Sequence, residues 1–161
     1  MNDADALLGA VIGEAKALGI PVSPAIRPQV VVNRRAKKRF GCCIHRGFAY
    51  TIELSDVLLA ADERLCRQTL AHEILHTCWG CRNHGARWKS YAARMNAAYG
   101  YSIARTQDPA RLGLAEKPGT VNHVVVCERC GRRFERTRRS KLTEHPDRYR
   151  CTCGGRLKLL Y

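Results

Sequence analysis

His72-Glu73-Ile74-Leu75-His76, followed eight residues after its second histidine by His84, is the stretch from which the rest of the chain can be read. On a helix, residues four apart lie one above the other, so His72 and His76 can grip a single metal ion. Glu73 stands beside them, placed to take a proton from a water at that ion. Three neutral nitrogen donors with one open position describe a catalytic zinc site rather than a closed structural one. The pattern predicts metal-assisted hydrolysis, with His72, His76 and His84 as ligands and Glu73 as the general acid/base.

The flanking residues support the helix on which the motif depends. Ser55 and Asp62 are candidate N-caps, and Asp62-Glu63 puts acid where a helix dipole favours it. No Pro or Gly interrupts Glu63 to Thr77. Leu70, Ala71, Ile74 and Cys78 fall on one arc of a helical wheel, and His72 and His76 on another with Leu65 and Thr69. Gly80 ends the helix, and Asn83 is expected to cap a second one from His84 to about Ala98, with His84 in its first turn. His45, His123 and His145 lack such a pattern and read as ordinary surface or core residues.

Outward from the motif, residues 3 to 19 have the Ala/Leu-rich period of an amphipathic helix, ended by Gly19 and Pro21. Gln29 to Asn33, Phe40 to His45 and Phe48 to Leu54 are expected as short strands. Residues 105 to 121, with Pro109, Gly113, Pro118 and Gly119, read as a linker. The expected organisation is an α+β domain over 1–104, that linker, and a small β domain over 122–161.

The last segment has a metal signature of its own: Cys127-x-x-Cys130-Gly131, then Cys151-x-Cys153-Gly154-Gly155. Two thiolate pairs from separate hairpins can close a tetrahedral zinc site with no open position. About 40 residues bury too little apolar surface to hold themselves, so the metal would supply folding energy. Arg132, Arg133, Arg136, Arg138, Arg139 and Lys141 are expected on a basic hairpin arm able to neutralise phosphates, with Tyr149 available to stack on a base.

Charge points the same way. The 161-residue chain has a formal net charge of +14, which suits a polyanionic partner better than a neutral surface. Arg34, Arg35, Lys37, Lys38, Arg39 and Arg46 form a basic run with no acid until Glu53. From His123 to Tyr161, 11 Lys or Arg stand against 4 Asp or Glu, a net of +7. No apolar stretch approaches a membrane span, and Met1-Asn2-Asp3-Ala4-Asp5 is acidic where a secretory signal is basic. A cytoplasmic protein is expected, nucleoid-associated if bacterial, and with no membrane partner. Its nine cysteines then read as metal ligands or small apolar residues rather than a disulfide scaffold.

Several motifs occur together in a recognisable order: Tyr50-Thr51-Ile52-Glu53-Leu54-Ser55, Thr69 to His76, His84-Gly85-Ala86-Arg87-Trp88, and the ribbon ending Tyr149-Arg150-Cys151-Thr152-Cys153-Gly154-Gly155-Arg156-Leu157. In these the chain resembles the SprT-like zinc metallopeptidases, related to the protease part of Spartan and associated with DNA–protein crosslinks. The resemblance implies a small zincin-like domain (N-terminal helix, short sheet, H-E-x-x-H helix, following helix) and a C-terminal zinc ribbon. It implies one catalytic Zn²⁺ on His72, His76 and His84, with Glu73 as acid/base, and one structural Zn²⁺ on Cys127, Cys130, Cys151 and Cys153. It further implies DNA as partner, bound without sequence preference and open to single strands, and DNA-bound proteins as substrates. The C-x-C of the ribbon and the short connection between His76 and His84 depart from the usual pattern.

Two other readings use the same residues. A nucleic-acid-binding adaptor would keep the zinc but have no need of Glu73. A peptidase acting on free peptides would be indifferent to DNA and salt. Cys78-Trp79-Gly80-Cys81 has the C-x-x-C spacing of a redox pair but follows a helix rather than a strand, so a packing role for this loop is expected. Cys42, Cys43 and Cys66 lack ligand spacing and are expected as buried small apolar residues.

Overall fold

The structure, a computed structural model, describes residues 1–36, 39–107 and 120–161. Lys37 and Lys38, and most of the expected linker, lie outside the described residues. The chain divides into two compact units, Met1–Glu116 and Lys117–Tyr161, each with its own hydrophobic cluster. Both are small-sheet structures with helices, an α+β class.

In the first unit, helix α1 (Ala4–Ala17) starts at Asp3, whose carboxylate accepts from the Ala6 N–H at 3.1 Å. Leu7, Leu8, Val11 and Ala15 form its buried face. Strand β1 (Val31–Asn33) pairs in parallel with β3 (Ala49–Ser55), and β2 (Gly41–Arg46) pairs antiparallel with β3. The sheet order β1-β3-β2 leaves β2 at an edge. Ile52 and Leu54, two apart on the central strand, are fully buried on one face, as strand alternation requires. β1 is shorter than its apolar pattern suggests because Gln29 and Val30, just after Pro28, do not join the ladder.

A short helix α2 (Asp56–Leu59) leads into α3 (Glu63–Leu75), which carries the histidine motif. Asp62 caps α3 by accepting from the Arg64 N–H at 2.8 Å. Leu70, Ala71 and Ile74 are fully buried, each large side chain contributing about 1.5–3 kcal/mol of burial. Glu14 ties α1 to the rest through Arg67 on α3 (2.8 Å) and the Tyr101 hydroxyl (2.6 Å).

Helix α4 (Ala86–Tyr99) begins later than its sequence suggests. Its N-cap is Gly85, so Asn83 does not cap it and His84 stands ahead of the first turn. The chain is still turning at His84, which lets that side chain swing back to within 3.0 Å of His72.

The second unit is a three-stranded antiparallel sheet, ordered β5-β4-β6, built from β4 (His123–Cys127), β5 (Arg133–Arg136) and β6 (Leu157–Leu159). Val125 on the central strand faces Phe134 and Leu159 on its neighbours. A short helix α5 (Lys141–Glu144) and a 3-10 turn (Pro146–Arg148) intervene before Cys151. The basic stretch is therefore not one hairpin arm: Arg133 and Arg136 lie on β5, whereas Lys141 opens α5.

Candidate functional site

α3 carries His72, His76 caps its C-terminus one turn on, and the connection to α4 returns His84 to them. The Nε2 atoms of His72 and His76 are 3.4 Å apart, and those of His72 and His84 are 3.0 Å apart. Two nitrogens on one tetrahedral zinc, each at about 2.0–2.1 Å, stand roughly 3.3–3.4 Å from each other. The tautomers are set by the backbone. His72 donates from Nδ1 to the Ala104 carbonyl at 3.0 Å, and His76 from Nδ1 to the Cys81 carbonyl at 2.8 Å. Each ring therefore turns an Nε2 lone pair inward. Converging lone pairs repel one another and attract a cation, so the cluster could hold a metal ion.

Two of the rings, His72 and His84, are biased toward the neutral form. Burial, reinforced by the neighbouring His76 and His84, pushes His72 down to about 4, while its bond to Ala104 opposes the shift. His84 is lowered too, first by burial and then by His76 and Arg105. Trp88 of α4, itself 1 % exposed, sits against all three imidazoles, with ring centroids 4.8, 5.7 and 4.5 Å from His72, His76 and His84.

Glu73 is buried next to this cluster, and burial raises its carboxyl to about 7 against the opposing Cys43 backbone N–H and the Arg39 charge. A cation on the three imidazoles would draw that value down again. The edge strand closes tightly over it: a Cβ at Gly41 would stand 2.8 Å from both Cγ and Oε1 of Glu73 and 2.9 Å from Cγ2 of Thr69. Only glycine lets β2 approach so near. A cleft of about 680 Å³ opens between β2 and the Trp79–Arg82 loop, lined by His72, Glu73, His76 and His84. A recess of about 170 Å³ shares Gly41, His72 and Glu73 and adds Arg39 and Arg105.

In the second unit the four cysteines converge. The Sγ atoms of Cys127 and Cys153 are 3.6 Å apart, as are those of Cys130 and Cys151. That is far beyond a disulfide bond of about 2.05 Å and near the roughly 3.8 Å between sulfurs at about 2.3 Å from one zinc. Backbone N–H groups of Cys130 and Arg129 lower the Cys127 thiol, and that of Cys153 brings Cys151 down to about 6, so these two favour the thiolate. Against the Arg132 backbone N–H, the neighbouring sulfurs push Cys130 up to about 11. This cluster, too, could hold a metal ion.

Residues 22–108 match the model of the SprT-like family. The chain belongs to the SprT-like family. Comparison with curated proteins finds no match. The family match takes in Gly41, the histidine cluster, Glu73 and Trp88, and ends before the cysteine cluster. The SprT-like unit is thus a metalloprotease-type domain.

Arg132, Arg133, Arg136, Arg138, Arg139 and Lys141 are all exposed, and among the described residues none has a carboxylate partner. Arg132 instead donates to the Thr152 hydroxyl at 3.1 Å. Within the SprT-like unit, Cys66, Cys78 and Cys81 are buried, as small apolar residues are. Burial raises Cys78 to about 12 and raises Cys81, which leaves both as unreactive thiols. Cys42 and Cys43 differ from expectation: they are half-buried on the edge strand and line the cleft. Pleating separates the two: Cys43 pairs with buried Ile52 and packs partly on the core, whereas Cys42 pairs with Glu53 on the other face.

Sequence reasoning missed the Ala104 and Cys81 carbonyls, Gly41, and the packing of Trp88 on the histidines. Backbone acceptors leave no residue signature. Gly41, at the start of a predicted strand, was the one visible signal, because an early strand glycine often marks a close approach.

Proposed function

We propose that the chain is a zinc-dependent metalloprotease that cuts proteins bound to DNA, of the DNA–protein crosslink type, with the cysteine unit holding nucleic acid. The observation that carries this reading is the convergence of three imidazoles, two of them oriented by backbone carbonyls, beside a buried carboxylate in an open cleft. The donor set fits zinc: three neutral nitrogens at His72, His76 and His84, and four sulfurs at Cys127, Cys130, Cys151 and Cys153. Bound at the histidines, zinc would supply Lewis acidity toward a water and a carbonyl oxygen.

The chain's own groups do the rest. Glu73 accepts the proton released by the attacking water and returns it to the leaving amine. Gly41 and the Cys43 N–H hold that carboxylate in place. The free edge of β2 offers unpaired backbone groups along which an extended substrate segment can lie as an added strand. Such recognition reads main chain more than side chains, so cleavage has little sequence preference. Exposed arginines on the cysteine unit neutralise phosphates, which gives sequence-independent, salt-sensitive binding and brings the cleft to DNA-bound proteins.

The test is cleavage of a DNA-binding protein by zinc-loaded chain, with and without single-stranded DNA, beside Glu73→Gln. Cleavage that requires both DNA and Glu73 supports the reading. Zinc-replete, folded chain that binds DNA without cutting would replace it with a nucleic-acid-binding adaptor. Cleavage indifferent to DNA and salt would leave a general peptidase.

A further inference from the structure

We propose that the Trp79–Arg82 loop and the adjoining face of α4 form a binding platform for single-stranded nucleic acid, separate from the arginines of the cysteine unit. A base stacks on Trp79, and phosphates are met by Arg82 and Arg87.

The first observation is charge. From Ile74 to Gln107 the chain contains no Asp or Glu, yet it carries Arg82, Arg87, Lys89, Arg94 and Arg105. Among the described residues none of these five cations takes part in an ion pair. Uncompensated positive charge on one stretch is the electrostatic footprint of a polyanion site.

The second is a built aromatic surface. Trp79 is 83 % exposed, although a large indole in a tight loop gains by burial. Arg87 braces it: its Cζ lies 4.8 Å from the ring centroid, and its Nη1 donates to the Trp79 carbonyl at 3.1 Å. Gly80 makes room for that brace. It has φ of 74°, and a Cβ there would stand 2.8 Å from Arg87 Nη1. Further along α4, Arg94 lies over Tyr91 with its Cζ 6.0 Å from the ring centroid. Residues 87, 91 and 94 share one helical stripe about 10 Å long.

Guanidinium-backed aromatic faces beside unpaired cations are what a base and its phosphates require, and every base offers a face to stack. A peptide strand needs unpaired backbone groups instead, and in this cleft β2 supplies them from the opposite wall. The loop side therefore fits nucleic acid. Binding at this platform does not require catalysis at the histidines, so a chain that cut nothing would still show it.

The chain reports on this site directly, because it has two tryptophans: Trp79 is exposed and Trp88 is 1 % exposed. Zinc-loaded full-length chain is titrated with a single-stranded oligothymidylate of about 12 nucleotides while tryptophan emission is followed. Saturable quenching is expected, and it should persist when Arg133, Arg136, Arg138 and Arg139 are changed to Gln. Trp79→Phe should remove the quenching. In the ribbon-neutralised background, Trp79→Leu should weaken binding about 5- to 150-fold, the cost of losing one stacked base. Arg82→Gln with Arg87→Gln should weaken it further and flatten its salt dependence. Quenching lost with the ribbon arginines would overturn the proposal, as would unchanged affinity in Trp79→Leu. Quenching by a peptide substrate but not by the oligonucleotide would assign the indole to protein recognition and overturn it equally.

Discussion

The two candidate metal centres are built in opposite ways. Behind the histidines, among the described residues, lies a cluster of 23 buried apolar residues, and hydrogen bonds to the Ala104 and Cys81 carbonyls orient His72 and His76 without help from an ion. Behind the cysteines, among the described residues, the buried cluster is Val125 and Leu157 with Cys127 and Cys151 themselves, and half-buried Phe134 and Leu142 pack against it. In the first unit the fold makes the site; in the second, a bound metal would make the fold. The first arrangement leaves a donor position and a cleft free for chemistry, whereas the second spends its donors on closure.

Metal removal gives the largest contrast. Chelation, or Cys151→Ser, should unfold the second unit, because about 10–16 kcal/mol of apparent metal binding is folding energy in sites of this kind. The first unit should keep its secondary structure and near-native amide protection. Hydrogen exchange measured before and after chelation checks this, and equal protection of both units would break the contrast.

Next in size is Glu73→Gln, expected to lower turnover by about 10²–10⁴-fold while leaving metal content and melting temperature nearly unchanged. Metal analysis beside peptide-cleavage kinetics separates the two effects. Gly41→Ala should act on the same carboxylate by direct contact. The added methyl must displace β2 or Glu73 at a cost of about 1–3 kcal/mol, read as reduced turnover with zinc retained.

Smaller still is the effect of removing surface charge from the second unit. Replacing Arg133, Arg136 and Arg138 by Gln should reduce the salt slope of DNA binding by nearly one for each phosphate no longer neutralised. Cleavage of a free peptide should not change. The smallest effect concerns Glu53, whose carboxyl is lowered by hydrogen bonds from Asn33 and then Arg39, against burial. A depressed carboxylate stabilises the fold above its unfolded value of about 4.3 and loses that contribution as pH falls through the folded value. Acid unfolding of the first unit should therefore shift to higher pH in Glu53→Gln, as circular dichroism against pH would show.

Much of this was legible in residue order, for identifiable reasons. The α3 helix was legible because its apolar arc, its Asp62 cap and its histidine spacing all demand one period. The cysteine quartet was legible because closely spaced thiol pairs, each followed by glycine, have few uses besides gripping a metal. What escaped notice was set by contacts between distant residues. Nothing local says that Gly41 will press on Glu73, some thirty residues away, or that β1 will pair in parallel with β3. Asn83 carries a capping side chain, yet Gly85 begins α4 because His84 must first turn back. The short α5 helix was hidden in a stretch whose charges drew the reading toward a hairpin.

The two thiols of the edge strand have a practical meaning for anyone designing a blocker. Cys42 and Cys43 are half-buried where β2 lines the cleft; Cys78 also lines it but is almost wholly buried, and Cys66 and Cys81 are sealed in the core. Burial raises Cys43 to about 12 and raises Cys42 as well. A small electrophile on its own would therefore react slowly, and ordinary oxidants would spare both sulfurs. Tethered to a chelating head group seated on the imidazoles, the same warhead would be held beside a nucleophile at high effective concentration. Selectivity for this cleft would then come from two-point attachment, one reversible and one covalent, in place of affinity for any side-chain pocket.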